Sequence, residues 1–312
     1  MSNPRCPITG EPATRLVQWV CCDFLARLWR VILRVDARPN LGEQRRVGLW
    51  TSPTGLYFFE PMLPGDDVFY TQLYRDYGFS HDPVIVRHAY MLAAQRTTPG
   101  DRVLDVGCGS ASFRAVIPHA DYVGLDPIFG GTGDVRKETL SHHLGEHSGA
   151  YDAVCAFEVL EHIVSPVQMF ADMVRAARPG GLVIVSVPHV PSALTRIPNN
   201  IYNAPPHHLT WWTEPALRAL ARAGGATVES IERAEWSAFD SFLYWVARCS
   251  PIRCSHIHYR AVWSWYVAIL VGGRGARLMR ALNRVPKTTD EGAALVMVAR
   301  RSGGTSTTSA SA

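Results

Sequence analysis

The spacing of apolar residues along the chain changes near residue 86. Beyond that point, short apolar runs alternate with stretches of helical periodicity. The strand-like runs are 102–106, 122–125, 153–157, 182–187, 226–232 and 293–299. Helical patterns fill 112–117 and 164–177, and Thr213 before Glu-Pro-Ala has the chemistry of a helix N-cap. Alternating strands and helices form a largely parallel sheet covered on both faces, so the pattern predicts a doubly wound α/β fold.

Three other patterns precede this region. Residues 13–35 carry apolar side chains at helical spacing with arginines between them, which predicts one amphipathic helix. Aromatic residues on both sides of a Ser-Pro-Thr-Gly turn predict a hairpin over 47–61, and 66–77 has an aromatic face at helical spacing. Cys21 and Cys22 lie inside the first pattern, and we expect both to be buried packing residues.

Composition and charge set the organisation of the chain. The 312 residues, 47% of them hydrophobic, suffice for a sizeable core, and seven scattered cysteines do not form a disulfide framework. The start of the chain lacks a signal-peptide layout, and no apolar run reaches the roughly 20 residues of a membrane span. A cytoplasmic, or membrane-peripheral, protein is expected. We predict an accessory module (1–85), a core (86–235), a helical insertion (236–288), a final core strand (289–301) and a disordered tail (302–312).

The insertion has one sign of charge. No acidic residue occurs from Ser241 to Thr289, while tryptophans and arginines are frequent there. Such a segment suggests an anionic neighbour, although the preference of the whole chain for arginine explains it equally well. Three interpretations remain open for 236–288: an aromatic lid over a hydrophobic ligand, an anchor on a membrane surface, or additional core.

A glycine-rich turn follows the first strand of the predicted sheet. Gly107 and Gly109 allow a sharp turn and a close approach of the backbone to a ligand. Asp105, two residues before the first glycine, suits an ammonium group and would repel a pyrophosphate. Ser112 stands where a dinucleotide site has its third glycine. Asp126 ends the next strand, where a carboxylate can accept from both hydroxyls of a ribose.

These residues, with Phe157-Glu-Val-Leu-Glu-His-Ile163 and Arg178-Pro-Gly-Gly181, resemble the successive motifs of class I S-adenosylmethionine methyltransferases, especially the ubiquinone-pathway O-methyltransferases. The resemblance implies a Rossmann-like, mostly parallel seven-stranded sheet and S-adenosylmethionine as cofactor. It also implies cofactor contacts for a defined set of residues. Asp105, Gly107, Cys108 and Gly109 would hold the methionine part, Asp126 and Pro127 the ribose, and Asp134 and Val135 the adenine, with Phe157 near the sulfonium. The helix that the family has between Asp126 and Asp134 is absent or reduced here, because only seven residues separate them.

The acceptor side carries a second group of polar residues. Glu158, Glu161 and His162 are spaced so that a helix would place them on one face. Together with His208 they resemble the metal-binding glutamates and histidines of small-RNA 2′-O-methyltransferases. Three hypotheses stay open for this set: binding of Mg²⁺ or another divalent cation, metal-free acid–base catalysis by His162 or His208, and purely structural roles.

Cys6-Pro-Ile-Thr-Gly10 and Ser52-Pro-Thr-Gly55 resemble a worn pair of zinc knuckles. Related methyltransferases have further cysteines, where this chain has Thr9 and Thr54. Structural zinc requires four ligands, so no structural zinc is expected.

The expected activity is transfer of a methyl group, by in-line displacement, to an oxygen of a small or lipid-like metabolite. N-methylation of a metabolite and 2′-O-methylation of RNA are the alternatives. Nucleic acid is the less favoured partner, because the basic residues of 236–288 are interleaved with large apolar side chains.

Overall fold

The computed structural model describes residues 3–77, 88–128, 133–286 and 294–303. The N-terminal part of the chain forms strands and helices. Its elements are β1 (Arg15–Cys21), α1 (Cys22–Leu33), α2 (Arg38–Leu41), β2 (Arg46–Thr51), β3 (Tyr57–Glu60) and α3 (Asp67–Tyr77). The predicted hairpin is confirmed, since β2 and β3 pair in antiparallel fashion from Gly48 opposite Glu60 to Thr51 opposite Tyr57. The helix predicted over 66–77 is also present, as α3.

The prediction of one helix over 13–35 is wrong in its first half. Residues Arg15 to Cys21 pair with β2 as a strand, and the helix begins at Cys22. Valine and tryptophan favour strands, and as a strand this segment forms backbone hydrogen bonds with the edge of β2. The two cysteines therefore differ: Cys22 is buried in α1, whereas Cys21 at the end of the strand is exposed, contrary to the expectation for it.

A seven-stranded sheet forms the centre of the molecule. Its strands are β4 (Arg102–Val106), β5 (Asp121–Leu125), β6 (Val135–Arg136), β7 (Tyr151–Phe157), β8 (Ala177–Pro188), β10 (Ala226–Arg233) and β11 (Ala294–Arg301). The order across the sheet is β10-β11-β8-β7-β4-β5-β6. Strand β11 is antiparallel to both of its neighbours, and the pairs from β8 to β6 are parallel. This arrangement confirms the predicted Rossmann-like, doubly wound, mostly parallel sheet.

Helices cover both faces of this sheet. They are α4 (His88–Ala94), α5 (Leu140–His147), α6 (Pro166–Ala176), α7 (Glu214–Ala223), and a short 3₁₀ helix, Ser112–Val116, where a helix was predicted. Alternate residues of β7 point to opposite faces of the sheet and belong to different hydrophobic clusters. Val154 and Ala156 pack with α6 and α7, whereas Cys155 and Phe157 pack with α4 and the 3₁₀ helix. The predicted helix stop at 178–181 is part of β8, which begins directly after α6.

A second sheet joins the N-terminal part to the core. Its order is β1-β2-β3-β9, and β9 (Thr210–Trp211) comes from the segment after β8. A second hydrophobic cluster lies beneath it, with α1 residues such as Trp29 against Ile201 and Trp211. The indole N–H of Trp29 donates to the carbonyl of Pro205 at 2.9 Å. The N-terminal part is thus bonded to the segment that carries His207 and His208.

The segment before β11 folds into two packed helices, α8 (Ala238–Cys249) and α9 (Trp263–Ala281). Within the described residues, no helix is long and apolar enough to cross a membrane. The junctions predicted near 85 and 288, the glycines at 130 and 131, and most of the predicted tail, 304–312, lie outside the described residues.

Candidate active site

The glycine turn after β4 is held against the end of β5. The backbone N–H groups of Gly107 and Cys108 donate to the Leu125 carbonyl at 2.7 and 3.1 Å. Gly107 has a φ of 72° and Gly109 a φ of 52°, both in the left-handed region. A Cβ on Gly107 would lie 2.7 Å from Val159 Cγ2, whereas one on Gly109 would meet nothing within 4 Å. The turn therefore needs glycine at 107 for fit, and at 109 it leaves open space for a ligand.

Two carboxylates flank this turn at the carboxyl ends of β4 and β5. Asp105 is 2% exposed and accepts a hydrogen bond from the Tyr122 hydroxyl at 2.8 Å. Asp126 Oδ2 accepts from the Gly109 N–H at 3.0 Å, and its Oδ1 accepts from the Ile128 N–H at 2.8 Å. A carboxylate oxygen accepts more than one hydrogen bond, so both groups retain acceptor capacity for an ammonium or a hydroxyl. The residues present fit S-adenosylmethionine in this respect.

The other residues predicted at the cofactor have different surroundings. The Cys108 side chain lies against Gly124, and burial raises the pKa of its thiol, so it remains neutral. Asp134 forms an ion pair with Arg114, and Val135 begins β6. Pro127 is exposed directly after Asp126. The Phe157 ring packs edge-on against Tyr90 and Phe113, with centroids 4.8 and 4.9 Å away.

A cavity of about 240 Å³ lies at the carboxyl ends of β7 and β8. Glu158, which directly follows β7, lines it together with Ser186 and Pro188 of β8. Apolar side chains form much of its wall, among them Leu73, Leu194, Tyr202, Phe239 and Leu243. Its polar side holds both predicted glutamates and a cluster of histidines: His162, His207 and His208.

Two histidines of this cluster lie beside the buried carboxylate of Glu161. His162 Nε2 lies 3.7 Å and His208 Nε2 3.9 Å from Glu161 Oε1, and the Glu161 side chain is 1% exposed. One nitrogen from each of His162, His207 and His208 lies within 4.8 Å of the others. Imidazole nitrogens and a carboxylate oxygen, all of them possible metal ligands, thus lie close together in the cavity wall.

Two of these histidines have an acceptor beside Nδ1. His162 Nδ1 lies 2.6 Å from the His207 carbonyl, and His208 Nδ1 lies 3.2 Å from Asn203 Oδ1. Each Nδ1 can donate to its partner when it carries the proton of the neutral ring. Burial lowers the pKa of His162 to about 4 and the pKa of His208 well below its usual range. Two neutral imidazoles thus lie beside one carboxylate oxygen.

The predicted set of polar residues is only partly reproduced. Glu158, Glu161 and His162 do not share a helical face, because the helix there is a 3₁₀ turn of three residues, Leu160–His162. Glu158 precedes it with a φ of 58°, and its Oε1 accepts from the Ser186 hydroxyl at 2.9 Å. The carboxylate of Glu158 therefore points to β8, while Glu161, His162 and His208 come together as the sequence predicted.

Sequence reasoning missed His207 and Tyr70. The Tyr70 hydroxyl lies 3.4 Å from the His207 carbonyl and 3.3 Å from His162 Nδ1. Burial raises the pKa of Tyr70 well above its usual value, so this hydroxyl remains a donor. The available signals were the His-His pair itself and the aromatic face of the helix predicted over 66–77.

At the worn zinc knuckles, Cys6 Sγ lies 3.9 Å from the Thr54 hydroxyl. The two turns thus face each other as a zinc-bearing pair would, with threonine hydroxyls where thiolates are required.

Residues 79–231 match the family model described as a methyltransferase domain. Together with the sheet order and the glycine turn, this match identifies a class I S-adenosylmethionine-dependent methyltransferase domain in the chain. Among curated proteins, the ubiquinone biosynthesis O-methyltransferase of Pectobacterium atrosepticum is 35% identical over 102 residues, covering 28% of this chain and 42% of that protein. The protein of the same name from Escherichia coli is 32% identical over the same length, with the same coverage. The chain thus spans less than half the length of these relatives.

Among solved structures, the 1,6-didemethyltoxoflavin-N1-methyltransferase of Burkholderia thailandensis, with bound 1,6-didemethyltoxoflavin and S-adenosylhomocysteine, is 16% identical. The aligned region covers 84% of this chain and 97% of that chain, with a TM-score of 0.46. A likeness at this level transfers no property from one protein to the other.

Proposed function

We propose that this chain transfers the methyl group of S-adenosylmethionine to an oxygen of a small or lipid-like acceptor. The observation that carries the proposal is the cavity at the carboxyl ends of β7 and β8, whose wall combines apolar side chains with neutral histidines and carboxylates. The names of the curated relatives support oxygen as the methylated atom. The bound cofactor supplies an electrophilic methyl group on its sulfonium. Asp105 and the glycine turn would hold the methionine part, and Asp126 the ribose.

The acceptor hydroxyl must be deprotonated and aligned. His162 and His208 fit the first requirement, because burial keeps both imidazoles neutral and so able to accept a proton. We propose that the Nδ1 partners, the His207 carbonyl and Asn203, hold the two rings with Nε2 as the accepting atom. We assign one of these imidazoles as the general base and Glu161 as the group that stabilises the resulting imidazolium.

Binding of a divalent cation is the second role that we propose for the same residues. The Nε2 atoms of His162 and His208 lie within 4 Å of a buried carboxylate oxygen, and a cation or a proton between them would stabilise this arrangement. We propose Glu161, His162, His207 and His208 as its ligands, with Glu158 bonded to Ser186 outside this set. Imidazole-rich donors favour a transition metal over Mg²⁺. Such an ion would lower the pKa of the acceptor hydroxyl.

The acceptor class follows from the remaining wall. Phe239 and Leu243 of α8 line the cavity, so we propose that the insertion acts as an apolar lid over the acceptor. This wall suits an aromatic or alkyl group better than the charged backbone of a nucleic acid.

The test measures S-adenosylhomocysteine formation with hydroxylated aromatic acceptors, with and without an alkyl tail, and with an RNA oligonucleotide. We expect turnover of the alkylated acceptors, and a loss of about 100-fold or more in kcat/KM for His162→Ala and His208→Ala. The matched control is His142→Ala, an exposed histidine on α5. Turnover of RNA alone, or full activity of both histidine variants, would contradict the proposal.

The same assay separates the two roles of the cluster. If a metal acts there, the purified chain contains a transition metal, chelation abolishes turnover, and Glu161→Gln loses the ion. Glu146→Gln, an exposed glutamate on α5, retains it. Activity that is indifferent to chelators assigns the cluster to metal-free base catalysis.

A further inference from the structure

Helix α9 has an exposed apolar stripe. Trp263 is 77% exposed, Leu270 60% and Leu278 56%. Val267 and Val271 lie between them at helical spacing, and Leu282 and Val285 continue the exposed apolar surface just past the end of the helix. Large apolar side chains exposed singly are ordinary on a protein surface, but a row of them along one helix face marks an interaction site.

The opposite side of α9 is already used by the fold. Trp265, Ala268 and Ala276 are buried there. A Cβ on Gly272 would lie 2.5 Å from the Val246 carbonyl oxygen, and one on Gly275 would lie 2.4 Å from Cys249 Cβ, so α9 packs against α8 at backbone distance. Small residues therefore allow the close packing of α9 on α8, and the large apolar residues of the stripe lie on its other face.

The surroundings of the stripe are positively charged. Arg274 lies within it, and the exposed Arg277, Arg280 and Arg284 flank it. In the ranges that the structure describes, none of these four guanidinium groups forms an ion pair. Because no acidic residue occurs from 241 to 289, the positive charge is not compensated along the chain. A partner for this surface must accept apolar side chains and carry negative charge beside them.

We infer that the α9 stripe binds the surface of an anionic lipid bilayer. A bilayer interface meets both requirements at once, since its acyl region takes up the apolar face and its headgroups pair with the arginines. Tryptophan at the end of such a stripe is typical of the headgroup level of a membrane. A second copy of this chain would instead bring like charges together at the same place. This inference concerns a face of α9 separate from the cavity, and it does not depend on the proposed activity.

The experiment is co-sedimentation of the full chain with vesicles of phosphatidylcholine alone and of phosphatidylcholine mixed with phosphatidylglycerol. We expect binding to the mixed vesicles only, decreasing as salt is added. The double variant Leu270→Ser/Arg274→Glu should bind on the order of tenfold more weakly, since each basic residue contributes about fivefold. The matched control is Val31→Ser/Arg27→Glu, which also replaces an exposed apolar residue and an arginine four residues apart, on the exposed face of α1.

Circular dichroism and thermal unfolding keep the test decisive, because both double variants change exposed residues and should melt as the unchanged chain does. Trp263→Ser provides a second, charge-neutral variant with the same expected loss of binding. Absence of binding to the mixed vesicles overturns the inference, and so does equal loss in the α1 control. Self-association through the stripe, seen by light scattering and abolished by Leu270→Ser/Arg274→Glu, would overturn it in favour of a second copy.

Discussion

Replacing Asp126 with asparagine tests the proposed cofactor site most directly. Both carboxylate oxygens accept a backbone N–H, from Gly109 at 3.0 Å and from Ile128 at 2.8 Å. In either orientation, the asparagine amide directs an NH₂ group at one of these two N–H donors. The ribose hydroxyls would lose a charged acceptor at the same time. One charge-assisted hydrogen bond contributes about 1.5–3 kcal/mol, so affinity for S-adenosylhomocysteine should fall roughly 10- to 150-fold.

Isothermal titration calorimetry with S-adenosylhomocysteine measures this change. Asp121→Asn is the matched control, since Asp121 begins the strand that Asp126 follows and its side chain is 64% exposed, 3.5 Å from Arg102. We expect the control to bind as the unchanged chain does. If Asp126→Asn is folded and its dissociation constant stays within twofold of the original, the assignment of Asp126 to the ribose is wrong.

Two further predictions concern stability. Burial lowers the pKa of His258 from 6.5 to about 4, so the unfolded chain binds more protons between these values. The free energy of unfolding should therefore decrease by up to about 3 kcal/mol as the pH is lowered from 6.5 to 4. His258→Gln should flatten the pH dependence of Tm and the neighbouring His256→Gln should not; the same slope in all three proteins would refute this. Gly107→Ala should lose about 1–3 kcal/mol in urea unfolding, because its Cβ would lie 2.7 Å from Val159 Cγ2 at a φ of 72°. Gly145→Ala, in helix α5 with free space around it, should gain about 0.5–1 kcal/mol, and an equally stable Gly107→Ala would contradict the fit at this turn.

The central sheet could be predicted from the sequence because its strands are continuous apolar runs of strand length. Residues 102–106 are the bounds of β4 in both the prediction and the structure. The prediction of one helix over 13–35 was wrong because the apolar residues of a seven-residue segment fit the spacing of a strand as well as that of a helix. Such a short segment cannot be distinguished from the first turns of an amphipathic helix. Only the edge of β2, distant in the sequence, determines that Arg15–Cys21 is a strand.

The acceptor side of the site shows a similar division. Glu161, His162 and His208 could be found from their types and spacing. His207 could not, since its role depends on how the loop before β9 folds over Glu161. Glu158 does not join them, because its carboxylate bonds to Ser186 from a residue with a left-handed backbone, and spacing alone does not reveal such a backbone conformation.

Strand β9 has a consequence for how this protein can be divided or recombined. The residues that follow His208 are bonded on both sides. Strand β9 pairs with β3, and Trp212 pairs with His189, directly after β8. Tyr70 and Trp29 hold the same loop from the N-terminal helices. The stretch recognisable as a methyltransferase domain is therefore not an exchangeable unit: grafted onto another N-terminal region, it would carry the glycine turn intact and lose the geometry of its histidines.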